Sequence, residues 1–376
     1  MVSDTPGRRT AAGRRGPVSW SYTADDAAEA ARVEAQHVTS TPCRWPPSDR
    51  VRLSVSSVRD RVELARLERV ASGPARPLRE EGYQRTPEGA WVRGERPPAG
   101  AGQPRLHRHA IVPGDGKWTI LHADSGTAQR AMAGDIVLRA LVAAALAARG
   151  GLTVHASAAT GPDGRAVVFL GDSGTGKSTL ALHLARAGGR FVSGDRTLLV
   201  PGPAGWWAVG SGLLPRFRWG TLEGLGLAGR VRDTALMRHG DGRCRVADLP
   251  RAPGKVIFTP GESERVLDVT TADCAPLGAL VVLSPAGGDV PTVRAAGREA
   301  TVAAVRAHLL PSDAGCLEEP FPGRRADAAD FAGLATGVSG SGLAWDPLRH
   351  RAEDALNRLL ANAPGTGPPG RRAAAP

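Results

Sequence analysis

The sequence predicts an α/β protein in which a mixed sheet flanked by helices carries a phosphate-binding loop, with a smaller β-containing lobe ahead of it. Three observations carry this. Residues 165–170, RAVVFL, read as a short buried strand rich in β-branched and apolar residues. Residues 171–178, GDSGTGKS, then fit G-x-x-x-x-G-K-[ST] without a mismatch, and a helical pattern follows. Ahead of both, LTVHASAAT (152–160) and RAVVFL flank the turn GPDG, which is a hairpin signal. A strand antiparallel to the loop strand implies a mixed sheet rather than an all-parallel one.

Each residue type in the loop has a physical reason to be there. Gly171, Gly174 and Gly176 permit the backbone angles that turn successive N–H groups toward a phosphate chain. Asp172, Ser173 and Thr175 complete the loop, and Thr179 follows it at the start of the helix. That helix adds the positive end of its dipole to the anion site. Lys177 is placed to reach the β- and γ-phosphates, and the Ser178 hydroxyl to ligate Mg²⁺. Leu180, Leu182, Leu184 and Ala185 give the helix its apolar positions, and Gly188-Gly189 stops it. The expected ligands are therefore ATP, or a related nucleoside triphosphate, and Mg²⁺.

The chain has 376 residues and a formal net charge of +11. Lysine occurs three times (Lys117, Lys177, Lys255), leaving 45 arginines among the 48 basic residues. The positive charge is spread through an Ala-, Gly- and Pro-rich chain without a dense run interleaved with aromatics, so a nucleic-acid partner is not expected. Cys43, Cys244, Cys274 and Cys316 lack metal-ligand spacing, and reduced thiols in a cytoplasmic protein are expected. The N-terminus is basic but has no apolar core of a secretory signal, and the apolar run 141–148 is too short to span a bilayer.

In chain order, residues 1–45 read as a flexible basic tail. Residues 46–125 read as the small lobe, with strands near 51–55 and 117–122, a charged helix near 58–70, and PEGAWVRGERPPAGAGQP (87–104) as loop. From 126 to 362 runs the domain built around the loop, opened by a helix over 127–149 and closed by helices over 301–310 and 346–361. Trp206-Trp207 read as a core strand, and ALVVLSP (279–285) as a buried strand with no terminal acid. Residues 363–376 read as a second tail.

HASAAT, the turn, and FLGDSGTGKSTLALHLARAGGRFVSGD together resemble the catalytic domain of the HPr kinase/phosphorylase family and the related kinases that act on peptides in natural-product clusters. The likeness is strongest over residues 150–200 and extends in element order from about 127 to 360. It implies a phosphoenolpyruvate-carboxykinase-like P-loop fold and transfer of the γ-phosphoryl group of ATP to a hydroxyl, foremost a serine of a peptide or protein. It also implies that His155 assists near the transferred group and that Asp195 helps to hold Mg²⁺. The chain departs from the family at the acidic pair. Where the family has Asp-Asp, this sequence has Gly194-Asp195, so the position implied to be the proton-accepting base has no side chain. General bases contribute ~10²–10⁴-fold, so the loss need not abolish transfer. Three readings stay open: a peptide or protein kinase, a small-molecule kinase, and a nucleotide-binding regulator without turnover. Homo-oligomerisation is also open. Arg196, Arg216, Arg218 and Lys255 are further candidates for meeting phosphate charge.

Overall fold

The computed structural model describes residues 7–42, 45, 50–78, 81–93, 108–114, 116–123, 125–238, 242–248, 254–321, 323, 326 and 328–362. Two large sheets pack around one buried helix, Thr127–Ala147. The first sheet has eight strands. Val18–Ala24, Val51–Arg59 and Lys117–His122 lie side by side in parallel, and the remaining neighbours are antiparallel. Parallel neighbours need crossovers, and the helix Ala27–His37 falls between the first two of these strands. Its N-terminus is capped by Asp26, whose carboxylate accepts from the Ala28 and Glu29 N–H groups.

The expected tail over residues 1–45 is corrected. Arg9–Arg15 and Val18–Ala24 form an antiparallel hairpin, and Ala27–His37 is helical. In VSWSYTA every second side chain is buried, a period-2 pattern that Arg- and Ala-rich surroundings hide in composition but not in spacing. The segment expected as loop over 87–104 contains a short strand, Trp91–Arg93. Residues 363–376 lie outside the described residues.

Thr127–Ala147 is buried nearly all round because it touches both sheets, as an evenly apolar helix must. Trp20 and Tyr22 of the first sheet, Leu138 and Leu141 of the helix, and Val200 and Val209 of the second sheet share one core. Gly134 is required here, since a Cβ would stand 2.3 Å from the Tyr22 hydroxyl. The charges on this helix are paired. Arg130 meets Asp26 at 2.6 Å and Glu29 at 3.0 Å, and Asp135 meets His37 at 3.0 Å and Arg139 at 2.6 Å. Arg15 donates to the His37 carbonyl, and the Gly16 N–H donates to Asp273. The N-terminal hairpin is thereby tied to the second sheet.

The second sheet has nine strands of mixed direction. Phe191–Ser193, Ala156–Thr160, Ala166–Leu170 and Cys274–Ser284 are neighbours in that order, and Ser339–Ala344 continues parallel to the last. Cys274–Ser284 also pairs at its start with Gly205–Gly210, where Trp206 is buried and Trp207 packs on Trp45 with ring centres 4.9 Å apart. The expected α/β class with a mixed sheet flanked by helices is observed. Among the described residues no helix is long and apolar enough to cross a membrane. Cys244 and Cys316 are free, Cys274 is disulfide-bonded, and Cys43 lies outside the described residues. The expectation of reduced thiols is thus corrected at Cys274, because bonding depends on which sulfurs the fold brings together, not on linear spacing.

The Asp135 cluster yields a stability prediction. Burial holds His37 below its ordinary pKa, with Arg15 and Arg139 acting the same way and Asp135 opposing. A histidine kept neutral by folding contributes stability above its unfolded value of about 6.5, and that contribution is lost as pH falls below it. Urea unfolding of His37→Gln should therefore show a shallower loss of stability on acidification than the wild type. Asp135→Ala should cost about 3–5 kcal/mol, because it leaves buried cations uncompensated.

Candidate functional site

The phosphate loop leaves the end of a fully buried strand, Ala166–Leu170. That strand pairs antiparallel with Ala156–Thr160, from Ala156↔Leu170 to Thr160↔Ala166, and parallel with Cys274–Ser284. The expected hairpin through residues 161–164 is therefore present. Gly171, Gly174 and Gly176 have φ of 153°, 93° and 88°, so the loop uses its glycines for conformations that other residues rarely adopt. The helix Lys177–Arg186 starts without a side-chain cap, leaving its first N–H groups free of any protein side chain. Lys177 folds back over the loop, its Nζ donating to the carbonyls of Gly171 at 2.6 Å and Asp172 at 2.8 Å. Burial lowers its pKa, and the Asp195 and Asp172 carboxylates oppose that shift.

His155 occupies a break in what the sequence presents as one continuous strand. Leu152–Val154 pairs with Thr197–Gly202, whereas Ala156–Thr160 pairs with the loop strand. At the break the His155 N–H donates to the His308 carbonyl at 2.8 Å. Its Nε2 lies 3.4 Å from Asp195 Oδ1, and both residues line the same cavity as Lys177. Desolvation lowers the His155 pKa, the Lys177 ammonium lowers it further, and Asp195 acts in the opposite sense. The imidazole is therefore neutral at neutral pH and able to accept a proton.

Gly194 joins these parts through its backbone. Ser157 Oγ and Ser178 Oγ both donate to the Gly194 carbonyl, at 2.5 and 2.7 Å, and the two hydroxyls are 3.0 Å apart. This bond fixes the His155 strand, the loop helix and the strand Phe191–Ser193 in one arrangement. A Cβ at Gly194 would meet nothing nearer than 3.6 Å and the position carries no positive φ. Glycine is not forced here by backbone or packing.

A cavity of about 900 Å³ is lined by His155, residues 173–179 and Asp195. Gly171 and Asp172 shape the loop but do not line it. Of the further cations singled out in the sequence, Arg216, Arg218 and Lys255 line the cavity, while Arg196 pairs with Asp313. Thr221 completes the wall next to the loop helix, its hydroxyl 3.1 Å from that of Thr179. Trp345 was not anticipated. It is 2% exposed, donates from Nε1 to the Thr175 carbonyl at 2.7 Å, and covers Gly176 so closely that a Cβ there would lie 2.2 Å from the ring. The only sequence signal for it is a lone tryptophan after a strand, 170 residues from its partner.

The residues present fit a magnesium-bound nucleoside triphosphate. The positive-φ glycines, the uncapped helix start and Lys177 form an anion cradle, and the cavity is of ligand size. No cluster of three or more His, Cys, Asp or Glu able to hold a metal occurs among the described residues. Mg²⁺ takes few protein ligands and completes its shell with phosphate oxygens and water, so one hydroxyl and one carboxylate can serve it. Ser178 and Asp195 would hold it.

No family model matches the chain, and none of the curated proteins matches it. Among solved structures, the Hpr(Ser) kinase/phosphatase from Coxiella burnetii matches over 56% of this chain and 93% of that chain, at 13% identity and a TM-score of 0.25. At that TM-score the likeness decides neither fold nor chemistry, and the functional reading rests on the residues and their geometry.

Trp345→Phe keeps most of the ring contact and removes the Nε1 donor. It should weaken nucleotide binding roughly fivefold, the equivalent of about 1 kcal/mol, by loosening the Thr175 carbonyl. Calorimetric titration of both proteins with MgATP checks this, and equal affinities would mean that Trp345 only packs.

Proposed function

We propose that this protein is an ATP-dependent kinase of the HPr kinase/phosphorylase type, transferring the γ-phosphoryl group to a hydroxyl, foremost a serine of a peptide or protein. The observation that carries the reading is that a complete phosphate loop faces the His155–Asp195 pair across one cavity. Backbone N–H groups of residues 173–179 cradle the phosphates, and Lys177 leaves its loop carbonyls to meet the transferred group. Bound Mg²⁺ would supply charge neutralisation of the phosphates, held by Ser178 and Asp195. The acceptor oxygen forms a bond to the γ-phosphorus as the bond to the bridging β–γ oxygen breaks, and ADP leaves with that electron pair. The hydroxyl proton passes to the neutral His155 imidazole, which Asp195 stabilises as it charges.

A second reading has one observation in its favour. Gly194 supplies no carboxylate at the position that the resemblance implies for the base, as expected of a site that binds nucleotide without turning it over. Phosphoryl transfer depends mainly on positioning and charge neutralisation. The chain keeps the groups for both, so the kinase reading is preferred.

Lys177→Ala should abolish measurable MgATP binding in calorimetry while leaving the thermal unfolding profile close to that of the wild type. Asp195→Asn should lower transfer of labelled phosphate by at least 100-fold and MgATP affinity by much less. Transfer in the wild type should be level at and above neutral pH and fall only below about pH 6.5, because His155 titrates below its ordinary value. Tight MgATP binding with no transfer to any serine peptide, protein or small hydroxyl compound would favour the regulator.

A further inference from the structure

The cavity changes character from one side of the phosphate loop to the other. The loop strand Ala166–Leu170 lies between Ala156–Thr160, which His155 directly precedes, and Cys274–Ser284, which runs parallel to it and ends at Pro285. Ser339–Ala344 lies parallel beyond that strand and leads into Trp345. These parallel strands end at one edge of the sheet. The loop therefore stands between a His155 side and a side made by Pro285 and Trp345.

Contacts along the loop fix which part of a nucleotide faces which side. Ser178 is held on the His155 side by Ser157 and the Gly194 carbonyl. A phosphate-loop serine at this position serves the Mg²⁺ that bridges the β- and γ-phosphates, so the reacting end of a triphosphate lies there. Thr175 and Gly176 are on the other side, against Trp345. The remainder of the nucleotide runs that way.

Charge and polarity follow the same division. The Arg218 guanidinium stands 4.0 Å from where a Gly174 Cβ would be, and Lys255 faces Arg218 across the ribbon of Arg216–Arg218 and Lys255–Ile257. With Lys177 they surround the loop with positive charge. Beyond Trp345 the one arginine lining the cavity, Arg351, is offset by Glu353 at 3.0 Å, and Pro285, Pro347 and Leu348 make the wall apolar. Leu348 is 94% exposed, yet a fixed turn presents it. Its N–H donates to Asp346 Oδ1 at 2.8 Å, the Asp346 N–H donates to His350 Nδ1 at 2.9 Å, and His350 Nε2 donates to the Gly288 carbonyl at 3.0 Å. A leucine held open to water in a cavity wall gains when a ligand covers it.

His183 of the loop helix lines the cavity at this end, where Ala352–Asn362 packs on that helix. It is partly buried and makes no hydrogen bond among the described residues. Burial lowers its pKa, with Glu353 opposing, so a neutral imidazole faces the ligand.

We propose that the nucleoside of the triphosphate occupies this end of the cavity, with Leu348 packing on the base and His183 hydrogen-bonding the nucleoside. This rests on the nucleotide reading of the same cavity, and it names the side chains that tell ATP from a bare polyphosphate.

Calorimetric titration of the full chain with MgATP and with magnesium tripolyphosphate tests the assignment, because tripolyphosphate presents the phosphates alone. Leu348→Ala and His183→Ala should each weaken MgATP about fivefold and leave tripolyphosphate unchanged. Leu348 is exposed in the free protein, so its truncation does not act through unfolding. An unchanged MgATP affinity in both variants, or an equal loss for the two ligands, overturns the nucleoside subsite and leaves the phosphate-loop reading standing. Failure of the wild type to bind either ligand overturns the nucleotide reading, and the subsite with it.

Discussion

The Gly194 carbonyl is the constraint on which the site depends. It accepts from Ser157, two residues past His155, and from Ser178, the first residue after Lys177. One backbone oxygen thus sets the distance between the phosphate loop and the facing His155–Asp195 pair. A hydroxyl that donates to a carbonyl keeps lone pairs for a cation, so the bond that holds Ser178 in place also leaves it able to serve a metal. This couples fold to chemistry at low cost in parts. Such a bond is worth about 1 kcal/mol to stability, and its larger effect is positional.

The first sheet acts on the site at a distance, through Thr127–Ala147. That helix presents apolar residues to both sheets, and its buried charges are matched by groups from the N-terminal hairpin and helix. Asp273, which accepts the Gly16 N–H, directly precedes Cys274–Ser284, and that strand runs parallel to the loop strand. A rigid sheet interior under the loop follows from packing far from any phosphate. Buried ion pairs are weak evidence of stability in themselves, but they specify register. Ala27–His37 is placed so that Glu29 near its start meets Arg130 while His37 at its end meets Asp135.

What the sequence made legible follows the range of each interaction. The phosphate loop is contiguous, and its strand, glycines and helix can be read directly. The hairpin is nearly as local. His155 and Asp195 lie 40 residues apart and became candidates only through a family resemblance, and the break at His155 is invisible because LTVHASAAT alternates like one strand. Trp345 and the facing of Arg218 by Lys255 arise from tertiary contacts with no local signature. The N-terminal hairpin is a different case, since the alternation in VSWSYTA was present and composition outweighed it.

Lysine scarcity has a structural counterpart. Two of the three lysines, Lys177 and Lys255, face the same cavity, close enough that Lys255 acts with burial to lower the Lys177 pKa. Concentrated positive charge of this kind works against the folded state unless an anion is present. Any ligand that neutralises it therefore gains binding energy from relief of that repulsion, in addition to its own contacts. The repulsion that costs stability in the free protein is thus relieved on binding.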